Sequence, residues 1–169
     1  MFKADEVIQA ISIAVIVAGF LLNTNRFLKS IELCKECLFI LKERAAKKDE
    51  NFTKSIYVKI YSTMWKAYSL INDNTNAIEY AQSAATLCWK LSEMYFYENK
   101  YLLAKNLSEK ALLISKEIGD RSGEASSSTV LGNVYTSVGE YKKAREHLEK
   151  ALAIKIGRAS CRERVLRLV

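Results

Sequence analysis

Apolar residues recur along this chain at steps of three and four, and nowhere do they alternate with polar ones long enough to argue a strand. The clearest run is Tyr141, Ala144, Leu148, Ala151 and Leu152, with Lys142, Lys143, Arg145, Glu146, Glu149 and Lys150 between them. That is an apolar helical stripe with a charged outer face, and with alanines where a second helix crosses closely. Just upstream, Leu131-Gly132-x-x-Tyr135 sets an apolar residue, a residue without a side chain and an aromatic on one helical face. Gly139 lies between the two stretches and ends the first helix, since glycine takes the left-handed conformation past a helix end at little cost. Residues 124–156 therefore read as one helix–turn–helix unit.

The unit recurs. Ala104 and Ala111 repeat Ala144 and Ala151 at an offset of 40 residues, and Tyr101 repeats Tyr141. Glu109-Lys110-Ala111-Leu112 repeats Glu149-Lys150-Ala151-Leu152, and Tyr95 stands where Tyr135 stands. Further back, Ala77 and Ala84 keep the seven-residue step behind Tyr68, while Phe27, Ser30 and Cys37 take the places of Tyr141, Ala144 and Ala151. The pattern predicts four helix pairs, near 5–47, 53–86, 86–118 and 122–156. Asn23-Thr24-Asn25, Lys47–Asn51, Asn72-Asp73-Asn74 and Asn99-Lys100 read as turns or linkers, with Thr53, Thr75 and either Asp120 or Ser122 as helix N-caps. One spacing breaks the rule: Ala77 and Ala104 are only 27 residues apart, and no Gly, Pro, Asn or Asp interrupts Ala77–Glu98. Either a tight turn hides near Ala84–Thr86, or two helices are fused over 75–98, which the missing breakers slightly favour.

Leu131-Gly132-x-x-Tyr135, then Ala144-x-x-x-Leu148, then Ala151, resembles the tetratricopeptide repeat (TPR) pattern. Ser128 stands where that pattern has its first Trp, and its final Pro is absent. The 40-residue period exceeds the basic 34, with the extra length in Glu117–Ala125. This linker resembles that of animal arrays of the Pins/LGN type, the G-protein signalling modulators, and of the large invertebrate TPR arrays. The resemblance is good over residues 95–156, but the short acidic G-protein-binding motifs of Pins/LGN proteins are not in this chain. It implies an all-α, TPR-like α-solenoid of about four antiparallel helix pairs, whose first helices line a concave groove that takes a peptide. In Pins/LGN-type arrays asparagines and linker arginines contact that peptide, and the matching residues here are Asn133 and Arg121. Helical phase adds Ser126, Thr129 and Thr136, and from the preceding pair Trp89, Glu93 and Phe96. Each has a plainer reading: Asn133 is solvated, Arg121 neutralises Glu117 or Glu124, and Trp89 and Phe96 belong to the core. The function implied is a scaffold or adaptor binding protein or peptide partners. The alternative is a structural or self-assembling fragment of a longer array.

Composition changes this picture little. Half of the 169 residues are hydrophobic and none is proline, which suits an all-helical chain with a continuous core. The net charge is +7, but Gly157–Val169 holds four arginines against one glutamate, and elsewhere both signs interleave. A one-sided basic patch for nucleic acid is therefore not expected. Ile156–Val165 fits no repeat and looks like a translated sequencing adapter, so that residues 157–169 are an artefactual basic tail and the natural repeats continue beyond Ile156. Cys34-x-x-Cys37 lacks the two further ligands of a zinc site, since the sole histidine, His147, lies on a distant repeat. Cys34 and Cys37 are expected as reduced thiols in packing positions. With one histidine, no phosphate loop and no metalloprotease motif, the chain reads as a cytoplasmic non-enzyme without cofactor or metal. Ile11–Leu22 is apolar but shorter than a membrane span, and Asp5 and Glu6 are unlike the basic start of a signal peptide. The first helix is expected to be buried on most sides.

Overall fold

Five turns of this chain close in the same way. Asn25, Asn72, Asn99, Gly119 and Gly139 each take a left-handed backbone conformation, with φ between 57° and 81°. At each, two backbone bonds cap the helix just ended. After Tyr97, the Asn99 N–H donates to the Phe96 carbonyl at 3.0 Å and the Lys100 N–H to the Tyr95 carbonyl at 2.9 Å. After Ser137, Gly139 donates to Thr136 at 3.2 Å and Glu140 to Tyr135 at 2.8 Å. This pairing satisfies carbonyls that a helix end leaves orphaned. Asparagine tolerates the left-handed region better than other residues with a side chain, so it substitutes for glycine at three of the turns.

The computed structural model describes residues 4–44 and 50–166, with side chains described over 6–43 and 52–157. These residues form α1 (Ala4–Asn23), α2 (Phe27–Arg44), α3 (Glu50–Leu70), α4 (Asn74–Tyr97), α5 (Tyr101–Glu117), α6 (Arg121–Ser137) and α7 (Tyr141–Leu166), with no strand among them. The fold is all-α, built of adjacent helices packed in pairs, as the repeat pattern predicts. Residues 75–98 take the fused form, a single helix α4 of 24 residues. Asp120 caps α6, accepting from the Ser122 N–H at 3.0 Å. Two expected caps shift. Asp73, not Thr75, caps α4 by accepting from the Asn76 N–H at 3.2 Å, and α3 begins at Glu50, which leaves Thr53 inside it. The helix α7 continues through Gly157 to Leu166. Lys47 to Asp49, and the side chains of the tail arginines and Cys161, lie outside the described residues.

The chain divides into two compact units, Met1–Leu87 and Cys88–Val169. In the first, Ile8, Ile11, Val15 and Ala18 of α1 pack with Ile31, Cys34, Cys37 and Leu41 of α2 and with Ile60 and Met64 of α3. Ser30 is buried at the α1–α2 crossing, where its hydroxyl donates to the Ala18 carbonyl at 2.8 Å. Tyr68 of α3 stacks on Tyr80 of α4 with ring centres 5.4 Å apart. Cys34 and Cys37 fill packing positions in this core. Burial pushes the Cys34 thiol up to about 12, so it stays protonated at neutral pH. The expectation for α1 is corrected: α2 and α3 cover one face of it, and on the other Ile16 is 72% and Phe20 66% exposed, with Ile13 and Val17 exposed beside them. Its Glu6–Asn23 stretch is long and apolar enough to cross a membrane, yet only 22% of it is buried.

In the second unit α6 packs between α5 and α7. Gly132 is a point of close approach between α6 and α7: a Cβ there would stand 2.5 Å from Cγ of Leu148 and 3.3 Å from the Ala144 carbonyl. Ala144 and Ala151 are buried as expected, but Tyr141 (70% exposed) and Leu152 (57%) are not, because α6 covers only one side of α7. Tyr135 stacks on His147 with ring centres 5.5 Å apart, and the Lys105 and Lys143 ammonium groups lie 5.5 and 5.4 Å from the Tyr135 ring centre. His147 Nδ1 is buried without a hydrogen-bond partner among the described residues. Burial, helped by Lys150, holds this imidazole below its usual range.

Two outcomes follow from this packing. Gly132→Ala gains about 1 kcal/mol of helix propensity but forces Leu148 aside at a typical overpacking cost of about 1–3 kcal/mol. We expect a net loss of about 1 kcal/mol in urea unfolding. In a Leu148→Ala background the same change should become stabilising; an equal loss in both backgrounds would show that Leu148 is not the obstacle. For His147, the unfolded chain takes up its proton first as pH falls below about 6.5. The stability this neutral group contributes is therefore present above that pH and lost as pH falls further. His147→Phe should gain in Tm relative to the parent between pH 7.5 and 5 (about this range); a constant gap would contradict the burial argument.

Candidate functional site

The last turns of α4 and the middle of α6 face each other across a groove of about 190 Å³. On α4, Trp89, Glu93, Phe96 and Tyr97 line it at steps of four, three and one, so they share a face. On α6, Ser126, Thr129, Val130 and Asn133 do the same, and Lys155 of α7 completes the lining. One wall is therefore aromatic and the other is hydroxyl and amide. The floor belongs to the core: Phe96 packs with Ala104, Val130 and Val134, and its ring centre lies 5.9 Å from that of Tyr101. Core and groove are thus two sides of the same aromatic residue.

The polar wall differs residue by residue. The Thr129 hydroxyl donates to the Ala125 carbonyl at 2.8 Å, so only its oxygen lone pairs remain for a ligand. Asn133 is exposed, and among the described residues its carboxamide makes no hydrogen bond within the chain. It offers a donor and an acceptor side by side, the pair that an extended peptide backbone complements. Glu93 and Lys155 bring one charge of each sign.

The groove brings together Trp89, Glu93, Ser126, Thr129 and Asn133, all named from the sequence. It does not include Thr136 or Arg121. The Thr136 hydroxyl turns back to donate to the Gly132 carbonyl at 2.8 Å. Arg121 lines a separate cavity of about 340 Å³ with Ala153, Ile154 and Gly157. Its guanidinium lies 3.9 Å from the Glu124 carboxylate and is 72% exposed, a pair worth little in water.

Tyr97, Val130 and Lys155 are groove residues that sequence reasoning missed. A signal for Lys155 existed: it stands four residues after Ala151, on the same face of α7. Forty residues earlier that position is Ser115, which is fully buried. A Cβ on Gly123 would collide with the Ser115 hydroxyl, so only a small residue fits there. Lys155 lines the groove instead.

Comparison with known proteins bears on the same stretch. No curated protein matches the chain. A solved structure titled "Crystal structure of MamA" aligns over 93% of this chain and 87% of that one, at 18% identity and a TM-score of 0.40. The family model described as tetratricopeptide repeat matches residues 82–156, which hold every groove residue from Trp89 to Lys155. Repeats of this kind serve in general as protein–protein interaction scaffolds, and residues 82–156 of this chain match that family.

Proposed function

We propose that the groove between α4 and α6 binds an extended peptide segment of a partner protein. The observation that carries this reading is the joint lining by Trp89, Phe96 and Tyr97 on one side and Asn133, Ser126 and Thr129 on the other. An apolar side chain of the ligand stacks on the aromatic wall, while Asn133 exchanges hydrogen bonds with the ligand backbone. Lys155 and Glu93 set the preferred charge and its direction along the groove. The chain acts as a scaffold rather than an enzyme in this reading. A second reading, self-association, has one observation behind it: Tyr141, Leu148, Leu152 and Ile156 of α7 are all exposed.

The test is a peptide selected from a displayed random library against the full chain, with affinity measured by fluorescence anisotropy. Trp89→Ala and Asn133→Ala should each weaken binding by about tenfold or more, as centrally placed contacts do. Thr136→Ala and Arg121→Ala, outside the groove, should change it less than about threefold. Binding that survives both groove variants with helicity intact would refute the groove. An apparent mass that rises with protein concentration, and no selected peptide, would favour self-association.

A further inference from the structure

A second groove lies in the first unit, between α1 and α2, on residues the groove at Asn133 does not use. Its volume is about 790 Å³. Ala10 and Ala14 of α1 and Leu33, Cys37 and Ile40 of α2 line its floor, and Glu6, Glu36 and Glu43 stand along it. No lysine or arginine is among the described residues that line it. Glu36 and Glu43 form no ion pair among the described residues.

Three features define what fits there. First, the floor is apolar and open, and α1 carries no charge from Val7 to Asn23; a helix that is apolar all round is ordinarily covered on all sides. Second, the floor is shaped for a helix. Ala10 and Ala14 are one turn apart and leave a shallow channel that the ridge of another helix enters. The fold already uses the other side of this helix pair that way, seating α3 against α1 and α2. The stretch from Glu6 to Ala14 rises about 12 Å, a little over two helical turns. Third, among the described residues the charged side chains that line it, Glu6, Glu36 and Glu43, are all acidic. We propose that the α1–α2 groove docks a basic amphipathic helix of a partner protein, its apolar stripe over Ala10, Ala14 and Ile40 and its lysines or arginines opposite Glu36 and Glu43.

A membrane surface fits the charge less well. Interfacial helices use lysines and arginines to meet anionic lipid, whereas α1 has no basic residue and the groove presents carboxylates. The carboxylates that disfavour lipid are the groups that select a cationic helix.

The experiment uses the full chain and a fluorescein-labelled 18-residue probe peptide (about five turns). Its leucines share one helical face and its remaining positions are lysine. Two controls replace lysine by glutamate, or scramble the order so that the leucines no longer share a face. The lysine peptide should bind about tenfold tighter than either control, and should weaken as salt is raised. Glu36→Lys/Glu43→Lys, on exposed positions, should cost about tenfold or more, and Ala10→Trp, which fills the channel, should cost as much. Asn133→Ala should bind the probe like the parent, which separates this site from the other groove. Unchanged binding by the charge variant with helicity intact would overturn the proposal, as would equal binding of all three peptides. So would two alternatives: co-sedimentation with phosphatidylserine vesicles that the lysine peptide does not displace, or concentration-dependent dimerisation abolished by Glu36→Lys/Glu43→Lys.

Discussion

The left-handed residue at each of the five described turns is the constraint on which the helix packing depends. A chain that reverses direction within three residues needs one positive φ, and it needs the orphaned carbonyls of the outgoing helix satisfied without help from a long loop. Asn99, Gly119 and Gly139 meet both needs at steps of 20 residues, and they bracket α5 and α6, each of 17 residues. The 40-residue repeat is therefore two equal half-units. Equal helices with equal turns meet at equivalent heights, which is how Ala104 and Ala111 come to occupy the same buried positions as Ala144 and Ala151.

Within that frame, close approach is handled differently in the two units. Gly132 lets α7 come within contact of the α6 backbone, with the Leu148 side chain lying where a Cβ would be. At the α1–α2 crossing Ser30 is buried and bonds across to the Ala18 carbonyl. Cysteines fill the next positions, and tyrosines fill the space between α3 and α4. This is why the repeat pattern fades toward the N-terminus while the packing does not. Small residues are required at a helix crossing, but glycine, alanine, serine and cysteine each supply one.

The same logic decides what could be read in advance. The turns were legible because only Asn and Gly hold φ near 60° cheaply, and the fused α4 because its stretch contains no breaker. The groove face was legible through helical phase, which placed Trp89, Glu93, Ser126, Thr129 and Asn133 together. Phase gives the face and not the height along it. Thr136 shares the face of Thr129 but lies past Asn133, towards the end of α6, and outside the lining. Arg121 was carried by resemblance alone and sits at another cavity. The exposed side of α1 was not legible, since an all-apolar pattern says that a helix seeks cover but not how many neighbours supply it. Both candidate docking surfaces arise at such places, where a face is apolar or aromatic and the packed helices leave it open.

The most direct test of this account is amide hydrogen exchange, residue by residue, on the full chain. The N–H groups of Lys100, Asp120 and Glu140 lie outside the helices, yet they donate to the carbonyls of Tyr95, Ser115 and Tyr135 at 2.8 to 2.9 Å. If these bonds close the turns and hold the helices in register, the three amides are protected like those in the middle turns of α5 and α6, well below the rate of an unstructured peptide. If they exchange at the rate of an unstructured peptide while the helices stay protected, the turns are open linkers and do not hold the helices in register.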